Sequence, residues 1–131
     1  MKKRGILHAA LAEVVAGMGH GDLLVIGDAG LPVPAGVPCI DLAVRCGLPP
    51  MLEVVQAVAE ELHVETLTLA NELIERDHAL PAALRQCFPD AHVRHIPHND
   101  LKQMSERARA IVRTGECTPY ANVVLTSGVI F

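Results

Sequence analysis

Aromatic side chains are nearly absent from this 131-residue chain, which has no Trp, one Tyr and two Phe. Half of the residues are hydrophobic, so this content comes from Val, Leu, Ile and Ala. A ligand would find few rings on which to stack, and its specificity would have to come from polar contacts. An apolar excess in so short a chain also indicates that some apolar surface is buried between subunits.

Long apolar runs are also missing, and none approaches the ~20 residues that span a bilayer. The N-terminus has basic residues followed by apolar ones, which is the order found in a signal peptide. However, His8 and Glu13 interrupt the apolar part, and no small-x-small cleavage pattern follows. We interpret this segment as an amphipathic helix and expect a cytoplasmic protein with no membrane partner.

An excess of positive charge is lacking as well, since the formal net charge is −4 and the pI is about 5.9. This balance argues against a nucleic-acid partner, which would need grouped Lys and Arg. No strand-linked Gly-x-Gly-x-x-Gly precedes a helix, and no Walker A pattern occurs. We therefore expect no nucleotide cofactor. Serine is scarce too, which disfavours a serine nucleophile.

No two of the four cysteines are spaced as Cys-x-x-Cys, and none pairs with a histidine at zinc-site spacing. They stand at positions 39, 46, 87 and 117. Without a secretory signal, the expectation is reduced structural thiols.

Histidines are dense in "AHVRHIPHND", where a three-histidine metal site is one interpretation. In a strand, however, His92 and His95 would point to opposite faces, and His98 lies beyond Pro97. We therefore expect no metal. His98, at the loop that opens the next helix, is the better site candidate, although it could instead cap that helix.

Hydrophobic runs of strand length alternate with helical patterns along the chain. Residues 6–18 keep helical spacing, and the run "DLLVIGDAG" that follows predicts a strand buried on both faces. Further strands are predicted at 39–44, 64–73, 91–97, 109–115 and 122–131, and further helices at 51–62, 77–88 and 98–108. This alternation predicts one α/β domain over residues 1–131, with a mainly parallel, Rossmann-like sheet covered by helices on both faces.

Two reactive groups stand at opposite ends of the first predicted strand. His20 is either a surface histidine in a loop or a general acid and base that titrates near neutral pH. Asp28 is either a turn aspartate that bonds its own backbone or a carboxylate placed to hold a hydroxyl or a histidine. About seven residues at ~3.3 Å each would keep the two ends roughly 20 Å apart. Either the loops fold back, or a second chain supplies one of the two groups.

The only tyrosine, Tyr120, lies beside Asn122 in "RTGECTPYAN". A turn at a strand end explains the Thr-Gly and the Pro of this segment, but not why the one Tyr is there. Ligands of α/β sheets bind beyond the carboxyl ends of the strands. Asp28, His98 and this segment all follow predicted strands, so we expect them at one edge of the sheet.

Two long segments, "KKRGILHAALAEVVAGMGHGDLLVIGDAGLPVP" and "RTGECTPYANVVLTSGVIF", resemble the D-ribose pyranase family, a group of sugar mutarotases related to fucose mutarotase. The resemblance runs essentially end to end, although the middle of the chain matches mainly in its periodicity. It implies a cytoplasmic enzyme that interconverts the β-pyranose and β-furanose forms of D-ribose without a cofactor. It also implies a homo-oligomer, a decamer of two stacked pentameric rings.

The same resemblance implies roles for individual residues. His20 matches the family's proton donor, and Asp28 and His98 match residues that bind the sugar. The segment of Tyr120, Ala121 and Asn122 would complete the pocket, from a neighbouring subunit. On this basis His20 is predicted to be the acid and base of ring opening and reclosure. The alternatives are a non-catalytic sugar-binding accessory of ribose uptake, a mutarotase for fucose or another aldose, and a purely structural ring protein.

Overall fold

Six strands and five helices alternate along the chain in the computed structural model, which describes residues Met1–Phe131. The helices are α1 (Ala9–Gly17), α2 (Met51–Ala59), α3 (Asn71–Arg76), α4 (Ala79–Cys87) and α5 (His98–Ser105). The strands are β1 (Leu23–Gly27), β2 (Cys39–Asp41), β3 (Val64–Ala70), β4 (His92–Ile96), β5 (Ala110–Arg113) and β6 (Val123–Ser127). The predicted α/β class is confirmed.

The strands form one sheet in the order β2-β5-β1-β6-β3-β4. The pairs β2–β5, β5–β1 and β3–β4 are parallel, as predicted. Strand β6 is the exception, because it lies antiparallel between β1 and β3. The sheet is therefore mixed, and the amino end of β6 meets the carboxyl ends of β1 and β3.

The core lies along the centre of this sheet. All five residues of β1 are buried, as the continuous apolar run predicts for a strand covered on both faces. Helix α1 contributes Leu11 and Val15 to the core, and α2 contributes Met51 and Val55 among others. None of the helices has the length and apolar character that crossing a membrane would require.

The predicted strands are longer than the observed ones, since 39–44 ends at Asp41 and 109–115 at Arg113, and two further runs show why. The run 64–73 ends as a strand at Ala70, where its pairing with β4 also ends, and Asn71 begins α3. With no strand neighbour beyond this point, the backbone satisfies its hydrogen bonds within a helix. The run 122–131 ends at Ser127, and Ile130 and Phe131 are 88% and 101% exposed. Within one chain these two side chains are therefore not covered.

The expectation of reduced cysteines is wrong for one pair. Cys46 and Cys117 form a disulfide, with their Cα atoms 5.9 Å apart, whereas Cys39 and Cys87 are free. The sequence separation of 71 residues conceals this proximity. The two residues meet because they follow β2 and β5, which are adjacent parallel strands.

Gly115 lies against the turn that carries Cys46. Its N–H donates to the Pro49 carbonyl at 2.9 Å, and its carbonyl accepts from Gly47 N–H at 2.6 Å. A Cβ atom added at Gly115 would overlap the backbone carbonyl groups of Leu48 and Arg45. Only glycine therefore allows the two loops to approach this closely.

We predict that Gly115→Ala lowers the free energy of unfolding by about 1–3 kcal/mol, because backbone atoms must move to admit the methyl group. The matched control is Gly17→Ala at the end of α1, where an added Cβ meets nothing within 4 Å. That change is expected to be neutral or to stabilise by up to about 1 kcal/mol. Urea unfolding of both variants tests this, and a Gly115→Ala protein as stable as wild type would contradict it.

Candidate active site

The predicted site residues that follow strands do meet at one edge of the sheet. The register sets Ile26 of β1 and Leu69 of β3 opposite Val123, the first residue of β6. Ala70 of β3 is in turn opposite Ile96 of β4. The residues just beyond these positions, including Asp28, His98 and Asn122, therefore share this edge, which we call the site edge.

Asp28 and Asn122 form a reciprocal pair at the centre of the site edge. The Asp28 N–H donates to Asn122 Oδ1 at 2.9 Å, and Asn122 Nδ2 donates to Asp28 Oδ2 at 3.0 Å. Asp28 Oδ1 accepts from Gly30 N–H at 2.9 Å, which is the bond of a turn aspartate. The turn aspartate is therefore confirmed, and the same bond fixes the orientation of the carboxylate at the site edge.

Gly27 makes room for this pair. A Cβ atom at position 27 would lie 2.8 Å from Asn122 Oδ1 and 2.6 Å from a methyl carbon of Leu31. A side chain here would displace the amide that holds Asp28. The glycine before the aspartate is therefore part of the construction of the site.

His98 is the first residue of α5, and it is half-buried. Its backbone N–H donates to Glu72 Oε2 at 2.9 Å, while its buried Nδ1 has no partner in the chain. Burial lowers the pKa of His98, and nearby Lys102 lowers it further, against the opposing effects of Glu72 and Asp28. This shift favours the neutral imidazole, which has one donor and one acceptor nitrogen.

Tyr120 packs against His98, with ring centroids 5.1 Å apart and ring planes at 78°. Its backbone is left-handed, with φ at +64°, which is uncommon for a residue with a bulky side chain. The Asn122 N–H donates to the Tyr120 carbonyl at 2.7 Å. Ala121 is fully buried, and its N–H donates to the Thr118 carbonyl at 3.2 Å, so only its backbone shapes the site.

Glu116 organises the loop before Tyr120. Its carboxylate accepts hydrogen bonds from the Thr118 hydroxyl at 2.8 Å, from the N–H groups of Thr118 and Cys117 at 3.1 Å each, and from Met51 N–H at 3.3 Å. Although burial acts to raise its pKa, these bonds hold the pKa of Glu116 below its usual value. Its carbonyl also accepts from Ala29 N–H at 2.9 Å, which joins this loop to Asp28.

His20 does not reach the other predicted residues. It precedes β1, so the whole strand separates it from Asp28, and its Nε2 lies 2.9 Å from Glu65 Oε2 near the start of β3. The side chains of His20 and Glu65 are 59% and 42% exposed. The structure therefore gathers Asp28, His98 and the 120–122 segment at one edge of the sheet and leaves His20 at the opposite edge.

The other two histidines of "AHVRHIPHND" take no part in the site edge. His92 and His95 are exposed on β4, and Arg85 Nη2 lies 2.9 Å from His95 Nε2. Burial and the Arg85 charge lower the pKa of His95. The chain contains no group of three His, Cys, Asp or Glu residues placed to hold a metal ion.

Sequence reasoning missed three charged residues that build the site, namely Glu72, Arg76 and Glu116. Glu116 lies within the segment singled out for its Tyr, but its role depends on Met51, far along the chain. Glu72 and Arg76 were hidden because 64–73 was interpreted as a strand. The sequence signal that could have revealed them is their spacing of four residues, about one helical turn, which places both on one face of a helix.

Comparison with known proteins gives a match to the family model described as "RbsD / FucU transport protein family" over residues 1–130. Proteins named D-ribose pyranase are similar over their whole length: the one from Symbiobacterium thermophilum is 55% identical, and the one from Laribacter hongkongensis is 47% identical, each with both chains fully covered.

Solved structures show the same fold. The structure of Bacillus subtilis RbsD complexed with D-ribose has a TM-score of 0.96 at 42% identity, with both chains fully covered. The Streptococcus pneumoniae fucose mutarotase in complex with L-fucose has a TM-score of 0.77 at 24% identity, with 93% of each chain covered, a likeness of fold alone. The family model and the full-length relatives agree, and this chain belongs to the RbsD / FucU family.

Proposed function

We propose that this protein is an enzyme that interconverts the β-pyranose and β-furanose forms of D-ribose. The observation that carries the proposal is the Asp28–Asn122 pair beside the half-buried His98 at the site edge. The proposal is supported by the TM-score of 0.96 with a structure complexed with D-ribose and by relatives named D-ribose pyranase. It requires no cofactor and no metal.

The reaction needs two proton transfers for ring opening and two more for reclosure. Opening the pyranose breaks the bond between C1 and the ring oxygen, which takes up a proton, while the anomeric hydroxyl loses one and becomes the aldehyde oxygen. The hydroxyl at C4 then attacks C1 and loses its proton, and the aldehyde oxygen regains one. Atoms and charge balance, so a group that donates and accepts protons near neutral pH suffices.

The site edge supplies the groups that would hold the sugar. The Asp28 carboxylate, fixed by Gly30 and Asn122, accepts hydrogen bonds from sugar hydroxyls. The Asn122 amide and a neutral His98 supply further polar contacts. Tyr120 and the buried backbone of Ala121 form a wall beside them. Because the chain has so few aromatic residues, recognition in this proposal is polar and not based on stacking.

His20 is proposed as the acid and base. Its contact with Glu65 gives it the partner that such a histidine needs, because a carboxylate orients the ring. Both side chains are exposed and free to face a ligand. Since β1 stands between His20 and Asp28 of one chain, we infer that each site combines His20 of one copy with the site edge of another.

The assembly in this proposal is the decamer of two pentameric rings. Apolar side chains that one chain leaves uncovered support an oligomer, including Val44 at 75% exposed, Ile130 at 88% and Phe131 at 101%. A monomer would leave these residues in water. Oligomer formation therefore serves two purposes, since it buries these residues and completes the site.

The location proposed is the cytoplasm. The N-terminal segment is built into the domain, because Ile6, Leu11 and Val15 belong to the buried core.

His20→Ala is expected to slow catalysed pyranose–furanose exchange of D-ribose by about 10²–10⁴-fold, because the proton donor is lost. Saturation-transfer NMR of the sugar measures the exchange. His92→Ala, which removes an exposed histidine from β4, is the matched control and is expected to match wild type. Exchange in His20→Ala as fast as in wild type would refute this role.

The same assay across several free sugars separates the alternatives. Binding of D-ribose without faster exchange would favour a sugar-binding accessory, and faster exchange of L-fucose than of D-ribose would favour a different mutarotase. No binding of any sugar would favour a structural ring protein.

Hybrid oligomers test whether sites are shared between copies. His20→Ala and Asp28→Asn each inactivate every site in a pure oligomer. If each site draws His20 from one copy and Asp28 from another, co-assembly of the two variants leaves about a quarter of the sites intact at equal mixing. We predict that exchange activity returns to roughly that level. Hybrids as inactive as their parents would show that one chain supplies the whole site.

The lowered pKa of His98 predicts the pH dependence of sugar binding. His98 stays neutral as the pH falls below 6.5, the ordinary pKa of a histidine. Sugar binding is lost only as the pH falls through the lowered pKa of His98. NMR titration of the ring resonance that disappears in His98→Asn measures this midpoint. Lys102→Gln should move the midpoint upward, because the like charge is removed. A wild-type midpoint at or above 6.5 would contradict the prediction.

A further inference from the structure

Helix α3 presents two charged residues to the site edge. Glu72 and Arg76 are four residues apart, which places them on the same face of the helix, one turn from each other. Glu72 accepts the backbone N–H of His98 at 2.9 Å. The guanidinium carbon of Arg76 lies 5.4 Å from the centroid of the Tyr120 ring. One face of α3 therefore contacts both of the rings that meet in the site.

Tyr120 needs support from its neighbours to stay in place. The backbone of Tyr120 is in the left-handed region of φ/ψ space, and the residue is half-buried at the rim of the site. The His98 ring meets it at 78°. Besides the apolar core against which it packs, this ring contacts the His98 ring and the cation of Arg76, which are the two polar groups that can hold its outer face.

Arg76 has no other electrostatic partner. The chain has four ion pairs, Lys2–Glu61, His20–Glu65, Arg109–Asp22 and Arg113–Asp41, and Arg76 is in none of them. The residue is exposed, so the fold does not depend on its burial. Its charge is thus available to the Tyr120 ring, whose negative π face attracts a cation at this distance.

We propose that Arg76 is a positioning residue for the proposed reaction and holds the Tyr120 ring against His98 before the sugar arrives. The inference rests on the proposed function. A ring that is already fixed loses little freedom when a ligand binds, whereas a mobile ring must be ordered at the expense of affinity. Because Arg76 acts through Tyr120 and not on the transferred protons, its loss should weaken sugar binding and leave the chemical step unchanged.

The composition of the chain makes this contact directly measurable. Tyr120 is the only tyrosine and the chain has no tryptophan, so tyrosine fluorescence reports on this one ring. Arg76→Leu removes the charge and keeps an apolar stem, while Arg76→Lys retains a cation. The matched control is Arg85→Leu, which removes an exposed arginine from α4 that contacts His95.

Arg76→Leu is expected to change the tyrosine emission and its quenching by iodide, and Arg85→Leu is not. D-Ribose titrated against the tyrosine signal should show a Kd about two- to fivefold higher in Arg76→Leu, the loss expected for an exposed cation–π contact. KM should rise by the same factor with kcat unchanged, since the lost interaction is equal in the ground and transition states. Arg76→Lys should restore part of the affinity.

Two results would overturn the proposal. One is an Arg76→Leu protein whose tyrosine signal and Kd both match wild type. The other is a fall in kcat at unchanged KM, which would mean that Arg76 acts on the transition state. Failure of the proposed function gives a different result, because the wild-type protein itself would then not accelerate pyranose–furanose exchange of D-ribose. In that case a changed tyrosine signal in Arg76→Leu still supports the positioning contact.

Discussion

The antiparallel insertion of β6 between two strands that run the other way is the constraint on which the site depends. In an all-parallel sheet, the amino end of a strand lies at the edge opposite to the ligand loops. Because β6 is reversed, Asn122 at its start is brought to the carboxyl end of β1, where it pairs with Asp28. Tyr120, which is two residues before Asn122, lies at the same edge and contacts His98 beyond β4. The antiparallel direction of β6 therefore brings the main polar residues of the site together.

Carboxylates that bind backbone N–H groups keep this edge in order. Glu116 gathers the N–H groups of its own loop and of Met51 at the start of α2, and Glu72 accepts from His98 at the start of α5. In both cases a negative charge meets the amino end of a helix, where unpaired N–H groups favour it. The loops that carry the site are therefore fixed by the helices around them, and the site is preorganised before a ligand binds.

Much of the fold was predictable because hydrophobic periodicity reports directly on burial. The fully apolar run of β1 and the helical spacing of α2 both appear as predicted. Predictions failed where neighbours decide the conformation. Residues 71–73 belong to the predicted strand run 64–73, yet no strand lies beside them, and they form the first turn of α3. The disulfide between Cys46 and Cys117 could not be predicted from the sequence either, because only the adjacency of β2 and β5 brings the loops of the two cysteines together.

By itself, the sequence determined the α/β class and the placement of Asp28 and His98 at one edge, since residues that follow parallel strands share an edge. Its spacing also indicated that one strand holds His20 and Asp28 apart unless the loops fold back, and the reversed β6 then decided where Asn122 lies. Only the tertiary structure decided the partners of each group: Asn122 for Asp28, Glu72 for His98 and Glu65 for His20. The physical reason is that hydrogen-bond partners distant in the chain are selected by strand order and register, which local periodicity does not encode.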